Sequence, residues 1–282
     1  MGSDFPLVSI IIPAYNHERY MVKCLDSVLE TSYSNKEIII IDDGSTDSTD
    51  EKIADWIKLN SNKIDIIYKS QENQGVSKTL NKLVSLAKGE YICLLASDDY
   101  LLPDGLSSRV NYLEDNYSKM AVIGDCIIVN NNNKCLYTSA LKEHFNRDIK
   151  LYMDDNSLKN EIIRHWSIPG PVLMVRKKLY EDNDFKYNEN LMTEDWDFYL
   201  KLVSKNYLGF INKKVSAYRV HEENISNILR NKVLRDRFRT VFANLSFFGP
   251  KDKIKLLSTL FIFVIIYCAR FIKLNKLKKY FK

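Results

Sequence analysis

Two adjacent carboxylates close the run Tyr91-Ile92-Cys93-Leu94-Leu95-Ala96-Ser97-Asp98-Asp99, and two more close the run Glu37-Ile38-Ile39-Ile40-Ile41-Asp42-Asp43-Gly44-Ser45. A hard divalent cation takes oxygen ligands of this kind. In an open α/β sheet, ligands bind beyond the carboxyl ends of the strands, so both pairs would face one crevice, together with Pro13-Ala14-Tyr15-Asn16 at the end of a third apolar run. Taken singly, each aspartate pair also fits a turn that leads into a helix cap. Their coincidence at two strand ends favours a shared site. The chain has neither a G-x-G-x-x-G nor a G-x-x-x-x-G-K-[ST] motif, so no glycine cradle for phosphate is expected. A diphosphate bound here would need its charge met by a cation, and the chemistry implied is the expulsion of a nucleoside diphosphate.

The elements that must position these groups alternate over the first 100 residues at short spacing, the pattern of βαβ units wound into a parallel sheet. Val8 to Ile12 is the first strand, followed by helical spacing of Val22, Leu25, Val28 and Leu29. Strands at 37–41, 64–68 and 91–95 follow, separated by helices that carry Ile53, Trp56 and Ile57 and then Leu80, Leu83, Val84 and Ala87. Gly89 stops the last of these helices. Beyond Asp99 come a turn at Pro103-Asp104-Gly105, an apolar segment from Ala121 to Val129, and strand-like stretches at Val172 to Val175 and Val215 to Val220. Between 138 and 168 the pattern is polar and irregular, as segments at the mouth of a pocket commonly are. A helix with Trp196, Leu200 and Val203 on one face follows Thr193.

Composition narrows the class. The chain has 282 residues, 45% of them apolar, enough for a large folded α/β domain. Residues 249–282 hold nine of the 41 Lys and Arg and one of the 36 acids, Asp252, which leaves 32 basic against 35 acidic groups elsewhere. A slightly acidic body argues against nucleic acid as partner, and the basic tail points to an anionic surface or to solvated lysines. The longest uncharged tail run, Leu256 to Ala269, has 14 residues, short of the roughly 20 that span a bilayer. Ile254, Leu257, Phe261, Val264, Cys268 and Phe271 share a helical face ahead of Lys273, Lys276, Lys278, Lys279 and Lys282, the pattern of an interfacial helix; a helix docked on its own domain is the other reading. The five cysteines show no C-x-x-C spacing and read as reduced thiols of a cytoplasmic protein. No hydrophobic signal region is expected before the first strand, whose largely apolar run of five residues ends at Pro13.

Val8-Ser9-Ile10-Ile11-Ile12-Pro13-Ala14-Tyr15-Asn16, Ile41-Asp42-Asp43-Gly44-Ser45-Thr46-Asp47, Asn73-Gln74-Gly75, Gly89-Glu90-Tyr91-Ile92, Ser97-Asp98-Asp99 and Thr193-Glu194-Asp195-Trp196 occur in this order. Together they resemble glycosyltransferase family 2, inverting sugar transferases with nucleotide-activated donors. The resemblance covers residues 7 to about 225 and implies a GT-A fold, a Rossmann-like doubly wound and mostly parallel sheet. Residues 1–225 would form the transferase domain, with a nucleotide-binding half over 1–100 and an acceptor half over 101–225, and 226–282 a helical extension.

By the same resemblance, Pro13, Tyr15 and Asn16 line the nucleoside pocket, Asp43 accepts a hydrogen bond from the base, and Asp98 meets the ribose. Asp99 would hold Mn2+ or Mg2+, joined by His221 where some relatives bring a histidine to the metal or diphosphate. Asp195 falls where the family keeps its general base, and Glu194 beside it would raise its proton affinity by like-charge repulsion. The chain departs from the family at Thr79-Leu80-Asn81, where many members carry Ala-Arg-Asn, so Lys78 is the candidate for the missing charge. It also has Ser97 where a stricter metal motif has an aspartate. Trp166 and Ile168-Pro169-Gly170-Pro171 are candidates for the acceptor pocket.

The activity expected is transfer of a sugar from a nucleotide donor, with uridine diphosphate the first choice, to a glycan. The tail suggests a polyprenyl-diphosphate-linked acceptor at the inner face of a bacterial membrane, as in surface polysaccharide (O-antigen or capsule) assembly. Two rivals stay open: a nucleotidyltransferase, which normally has a Gly-rich basic loop where this chain has Tyr15-Asn16-His17-Glu18, and a sugar-nucleotide or glycan-binding module without activity.

Overall fold

The computed structural model describes residues 5–221, 230–261 and 263. Its centre is one nine-stranded, mostly parallel sheet, built from β1 (Val8–Ala14), β2 (Lys36–Asp42), β3 (Asp65–Ser70), β4 (Tyr91–Leu94), β5 (Tyr100–Leu101), β6 (Ala121–Val129), β7 (Cys135–Tyr137), β8 (Leu173–Arg176) and β9 (Leu208–Arg219). The order is β3-β2-β1-β4-β8-β6-β9-β5, with β7 paired to β6. β1, β2, β3 and β4 run parallel to one another, as do β6 and β9, whereas β8 is antiparallel to β4 and β6, β5 to β9 and β7 to β6.

The isoleucine-rich strands are buried on both faces because helices cover each. Side chains alternate along a strand, so Val8, Ile10, Ile12, Ile38 and Ile40 point to one layer and Ile11, Ile39 and Ile41 to the other. The first layer is packed by α1 (Met21–Glu30), α2 (Thr49–Asn60) and α4 (Gly105–Asp115) through residues such as Leu25, Ile53, Trp56 and Val110. The second is packed by α3 (Val76–Leu86), α5 (Asp155–Arg164), α6 (Glu194–Ser204) and α7 (Arg230–Asn244) through Leu83, Ile162, Trp196, Leu200 and Val241. Each fully buried isoleucine contributes on the order of 1.5–3 kcal/mol by leaving water. A further helix covers 250–261.

The expected elements form, with two differences. β9 is longer than the expected strand at 215–220, since it begins at Leu208 and crosses the exposed stretch at 212–213. The polar region 138–168 contains a π-helical turn at Ala140–His144 and the helix α5, whose first turn is capped by Asp154 accepting from the Ser157 amide at 2.9 Å. Only Leu158, Ile162 and Ile163 of its ten residues are apolar and buried, too few to stand out as a helical period. Cys24, Cys93 and Cys126 are buried free thiols and Cys135 an exposed one; Cys268 and the lysines beyond residue 270 lie outside the described residues. Among the described residues no helix is long and apolar enough to cross a membrane.

Register decides where the carboxylates end up. β4 stops at Leu94, paired with Ile11, while β1 continues to Ala14, so residues 95–99 leave the sheet beneath the overhanging end of β1. The two residues after Asp99 then pair antiparallel with β9, Tyr100 against Ala217 and Leu101 against Ser216. This pins both aspartates beside the far end of β9, about 120 residues on in the chain.

Candidate active site

The ends of β1 and β2 are knitted to each other. Asn16 adopts a left-handed conformation, φ 53°, which aims its amide at Ser45 Oγ, 2.9 Å away, and lets its Oδ1 accept from the Thr46 amide at 2.7 Å. Gly44 has φ 77°, and a Cβ there would stand 2.8 Å from the Asn73 amide nitrogen, so the turn requires glycine. Asp43 is buried and accepts from Gln71 Nε2 at 2.7 Å and from the Gln74 and Gly75 amides at 2.9 Å each. It therefore ties the 71–75 loop across the crevice, and its Oδ2, with one of these bonds, retains acceptor capacity toward a ligand.

Pro13, Tyr15, Asn16, Asp43 and Asp98 all line one hollow of about 970 Å³, as expected of a nucleotide pocket. Lys78 does not. It is exposed near the start of α3 and lines the neighbouring hollow, while Val76 and Thr79 of the same turn line the first.

At the floor of the first hollow, the ligand atoms of His17, Asp98 and His221 lie within 4.8 Å of one another. His221 Nε2 is 3.0 Å from Asp98 Oδ2, and His17 Nε2 is 4.0 Å from the same oxygen. Ser97 Oγ sits 2.7 Å from His17 Nδ1 and so orients that ring. Burial pushes the Asp98 carboxyl up, but the His221 hydrogen bond and the attraction of both imidazoles outweigh it and hold it below the usual aspartate value. Two imidazole nitrogens and a carboxylate oxygen within this distance are a donor set that could hold a divalent cation.

Asp99 lines the same hollow as Asp98. Its Oδ1 accepts from the Arg219 amide at 2.7 Å, and the Arg219 guanidinium donates to the Asp98 carbonyl at 2.7 Å while stacking 4.6 Å from the Tyr20 ring. Burial, followed by repulsion from Asp98, lifts the Asp99 carboxyl well above its ordinary range. The residue that meets His221 is thus Asp98 and not Asp99, because successive side chains leave the chain in different directions and β9 claims the second one. His17 joins the group without having been singled out; its only signal was a position three residues past the end of β1.

A second hollow, of about 650 Å³, adjoins the first, and the two share Gly75, Val76, Gly170 and Tyr218 in their walls. Trp166, Ile168 and Pro169 line it as expected, with Trp166 packed 4.9 Å from the Tyr199 ring. Glu194 and Asp195, at the start of α6, form its far wall. Asp195 is open to the cleft, yet the protein around it removes enough water to push its carboxyl up to about 6, against the pull of the Trp196 amide and of Arg237. Glu194, half-buried, goes up to about 8, from burial first and the charge of Asp195 second. Burial is the first cause of the rise at both carboxyls, and the charge of Asp195 adds to it at Glu194. Tyr218, which sequence reading passed over, stands at the junction of the hollows and feels the charges of Asp99, Asp98 and Asp195.

The family described as "Glycosyl transferase family 2" matches residues 9–178, more than half of the chain. The chain belongs to glycosyltransferase family 2. It is 30% identical over 230 residues to an uncharacterized glycosyltransferase of Rickettsia typhi, covering 81% of this chain and 68% of the relative. It is 31% identical over 247 residues to the chondroitin synthase of Escherichia coli, covering 87% of this chain but only 34% of that protein. In fold it resembles S. aureus TarS 1-349 in complex with UDP-GlcNAc, with a TM-score of 0.67, 20% identity, and coverage of 91% and 71% of the two chains. It likewise resembles the mannosyltransferase PcManGT of Pyrobaculum calidifontis in complex with GDP-Man and Mn2+, with a TM-score of 0.69, 18% identity, and coverage of 91% and 69%. The chain is therefore a glycosyltransferase with a GT-A fold.

Proposed function

We propose that this glycosyltransferase is an inverting, metal-dependent enzyme that moves a sugar from a nucleoside-diphosphate donor, with UDP the first candidate, to a hydroxyl of a glycan. The observation that carries the reading is the continuity of the two hollows: a histidine–aspartate cluster floors one, a carboxylate pair walls the other, and only Gly75, Val76, Gly170 and Tyr218 stand between. The donor would lie in the first hollow with its base near Tyr15 and Asp43, and the acceptor in the second against Trp166.

Asp98 and His221, with His17 beside them, would hold the divalent ion, which when bound supplies positive charge to the departing diphosphate. Asp195 would take the proton from the acceptor hydroxyl as that oxygen attacks the anomeric carbon on the face opposite the leaving group. The bond to the acceptor forms as the bond to the diphosphate breaks, and the configuration inverts. Glu194, protonated at neutral pH, leaves the negative charge of the pair on Asp195.

Residues 1–225 are read as the transferase domain and 226–282 as its extension. The relatives leave the acceptor open, and a polyprenyl-diphosphate-linked glycan of bacterial surface polysaccharide at the inner face of the membrane remains our reading. It is supported by the lysine-rich tail and by the outward placement of Ile254 and Phe261 on the helix over 250–261, among Lys251, Lys253 and Lys255. Membership of the family sets aside the nucleotidyltransferase. A binding module without activity is disfavoured by an acid pair tuned toward basicity in the cleft.

The test is calorimetric titration of a panel of nucleotide sugars with Mn2+ into the wild-type protein and the Asp98→Ala variant. Donor affinity should fall by tenfold or more in the variant and become independent of Mn2+, while Asp195→Asn keeps wild-type affinity. Equal Mn2+-dependent affinity in Asp98→Ala would remove the cluster from the donor site.

A further inference from the structure

Helix α7 lies beyond the segment that carries the family motifs, yet it grips the turn that presents Glu194 and Asp195. Three of its side chains reach that turn. Asp236 Oδ2 accepts from the Met192 amide at 2.8 Å, Thr240 Oγ1 is 2.7 Å from Thr193 Oγ1, and Asn244 Nδ2 donates to Asp197 Oδ1 at 2.7 Å. The anchored residues are 192, 193 and 197, so the contacts bracket the acid pair on both sides.

Burial makes these contacts consequential. Thr240 and Asn244 are 0% exposed and Asp197 is 1% exposed, so each bond is formed away from competing water. The other Asp197 oxygen is met by Lys201 at 2.7 Å, and Asn244 Nδ2 also donates to the Thr240 carbonyl at 2.9 Å, so the buried carboxylate has both oxygens satisfied only if Asn244 is in place. Val241, also fully buried, seats the same helix face in the core.

The start of α6 shows the reciprocal sign. A threonine at a helix N-cap ordinarily turns its hydroxyl onto an amide of its own first turn. Thr193 occupies that position and makes no such bond; its hydroxyl is committed to Thr240. The first turn of α6 is therefore held by a different helix rather than by its own cap.

We propose that Thr240 and Asn244 are positioning residues, through which α7 sets the placement of Asp195 against the acceptor hydroxyl. The proposal rests on the reading of Asp195 as the base. Loss of either anchor lets the turn carrying Asp195 shift, and displacements of about 1 Å cost on the order of 100-fold in a proton-transfer geometry. Donor binding, confined to the other hollow, is untouched, so the loss falls on turnover and not on donor KM.

The experiment measures kcat and donor KM of the full chain with Mn2+ for Thr240→Val, Asn244→Leu, Thr240→Ser and Asp195→Asn, with melting curves for each. Expected are a fall in kcat of about tenfold or more in Thr240→Val and Asn244→Leu, a donor KM within about twofold of wild type, and recovery of most of the loss in Thr240→Ser, which restores the hydroxyl. A folded Thr240→Val with wild-type kcat, or a donor KM that rises in step with the loss of kcat, would overturn the proposal. Should Asn244→Leu fail to fold, the comparison of Val with Ser at 240 decides alone. An active Asp195→Asn would instead overturn the reading of the base, and an inactive Asp195→Asn beside fully active anchor variants would defeat only the positioning role of Thr240 and Asn244.

Discussion

Replacing Glu194 by Gln should remove a loss of stability that the wild-type protein suffers as pH rises from about 5 to 8. The Glu194 carboxyl moves from an ordinary 4.5 to about 8 in the folded protein, through burial and then the charge of Asp195. A folded-state value above the unfolded one means that the folded state holds the proton more tightly. The stability this contributes is whole below 4.5 and disappears as pH rises through about 8. From 4.5 to about 8 is a gap of roughly 3.5 pH units, and at ~1.4 kcal/mol per unit it sets a ceiling of about 5 kcal/mol. The side chain is half-buried and shares its titration with Asp195, which lowers the expectation to about 1–3 kcal/mol. For a chain of this size each kcal/mol moves the melting temperature by about 2–4 °C. A neutral amide at 194 has no proton to lose, so Glu194→Gln should gain on the wild type by ~2–12 °C more at pH 8 than at pH 5. The assay is thermal denaturation followed by circular dichroism at both pH values, with EDTA present so that no metal ion differs between samples. Titrating groups other than Asp195, whose titration is tied to that of Glu194, are common to both proteins and cancel in the difference. The same gap at both pH values, or a larger one at pH 5, would refute the reasoning.

Turnover should rise with pH through about 6, because Asp195 must be unprotonated to act and its carboxyl stays protonated below that value; a kcat that is flat from pH 5 to 7 would count against it as the base. Asp195→Asn should bind donor normally and lose transfer by about 1,000-fold or more, measured as nucleoside diphosphate released. The full-length chain should co-sediment with vesicles rich in anionic lipid and come off at high salt; equal binding to purely zwitterionic vesicles would undercut the charge argument for the tail.

Much of this molecule was legible because its signals are local. Isoleucine runs ended by Pro13 and Asp42 mark strands whatever surrounds them, and the carboxylates at the strand ends are placed by the parallel sheet rule. Elements with a weak period were not legible: α5 shows three buried apolar residues among polar ones, and β9 is interrupted by the exposed Asn212 and Lys213 between its two buried stretches. Tyr218 escaped notice for the same reason, since a tyrosine late in a strand gives no hint that two hollows meet on its ring.

The amino-acid sequence alone established an α/β glycosyltransferase, the strand ends that hold Asp43, Asp98 and Asp99, and the helix start that holds Glu194 and Asp195. Tertiary structure alone decided that Asp98 rather than Asp99 meets His221, that Lys78 faces the second hollow, and that α7 secures the turn before the acid pair. The physical reason is that adjacent side chains point apart, so which of two neighbours enters a site depends on the partner strand or helix that claims the other. Here those partners are β9 and α7, distant in the chain and brought near only by the folded sheet.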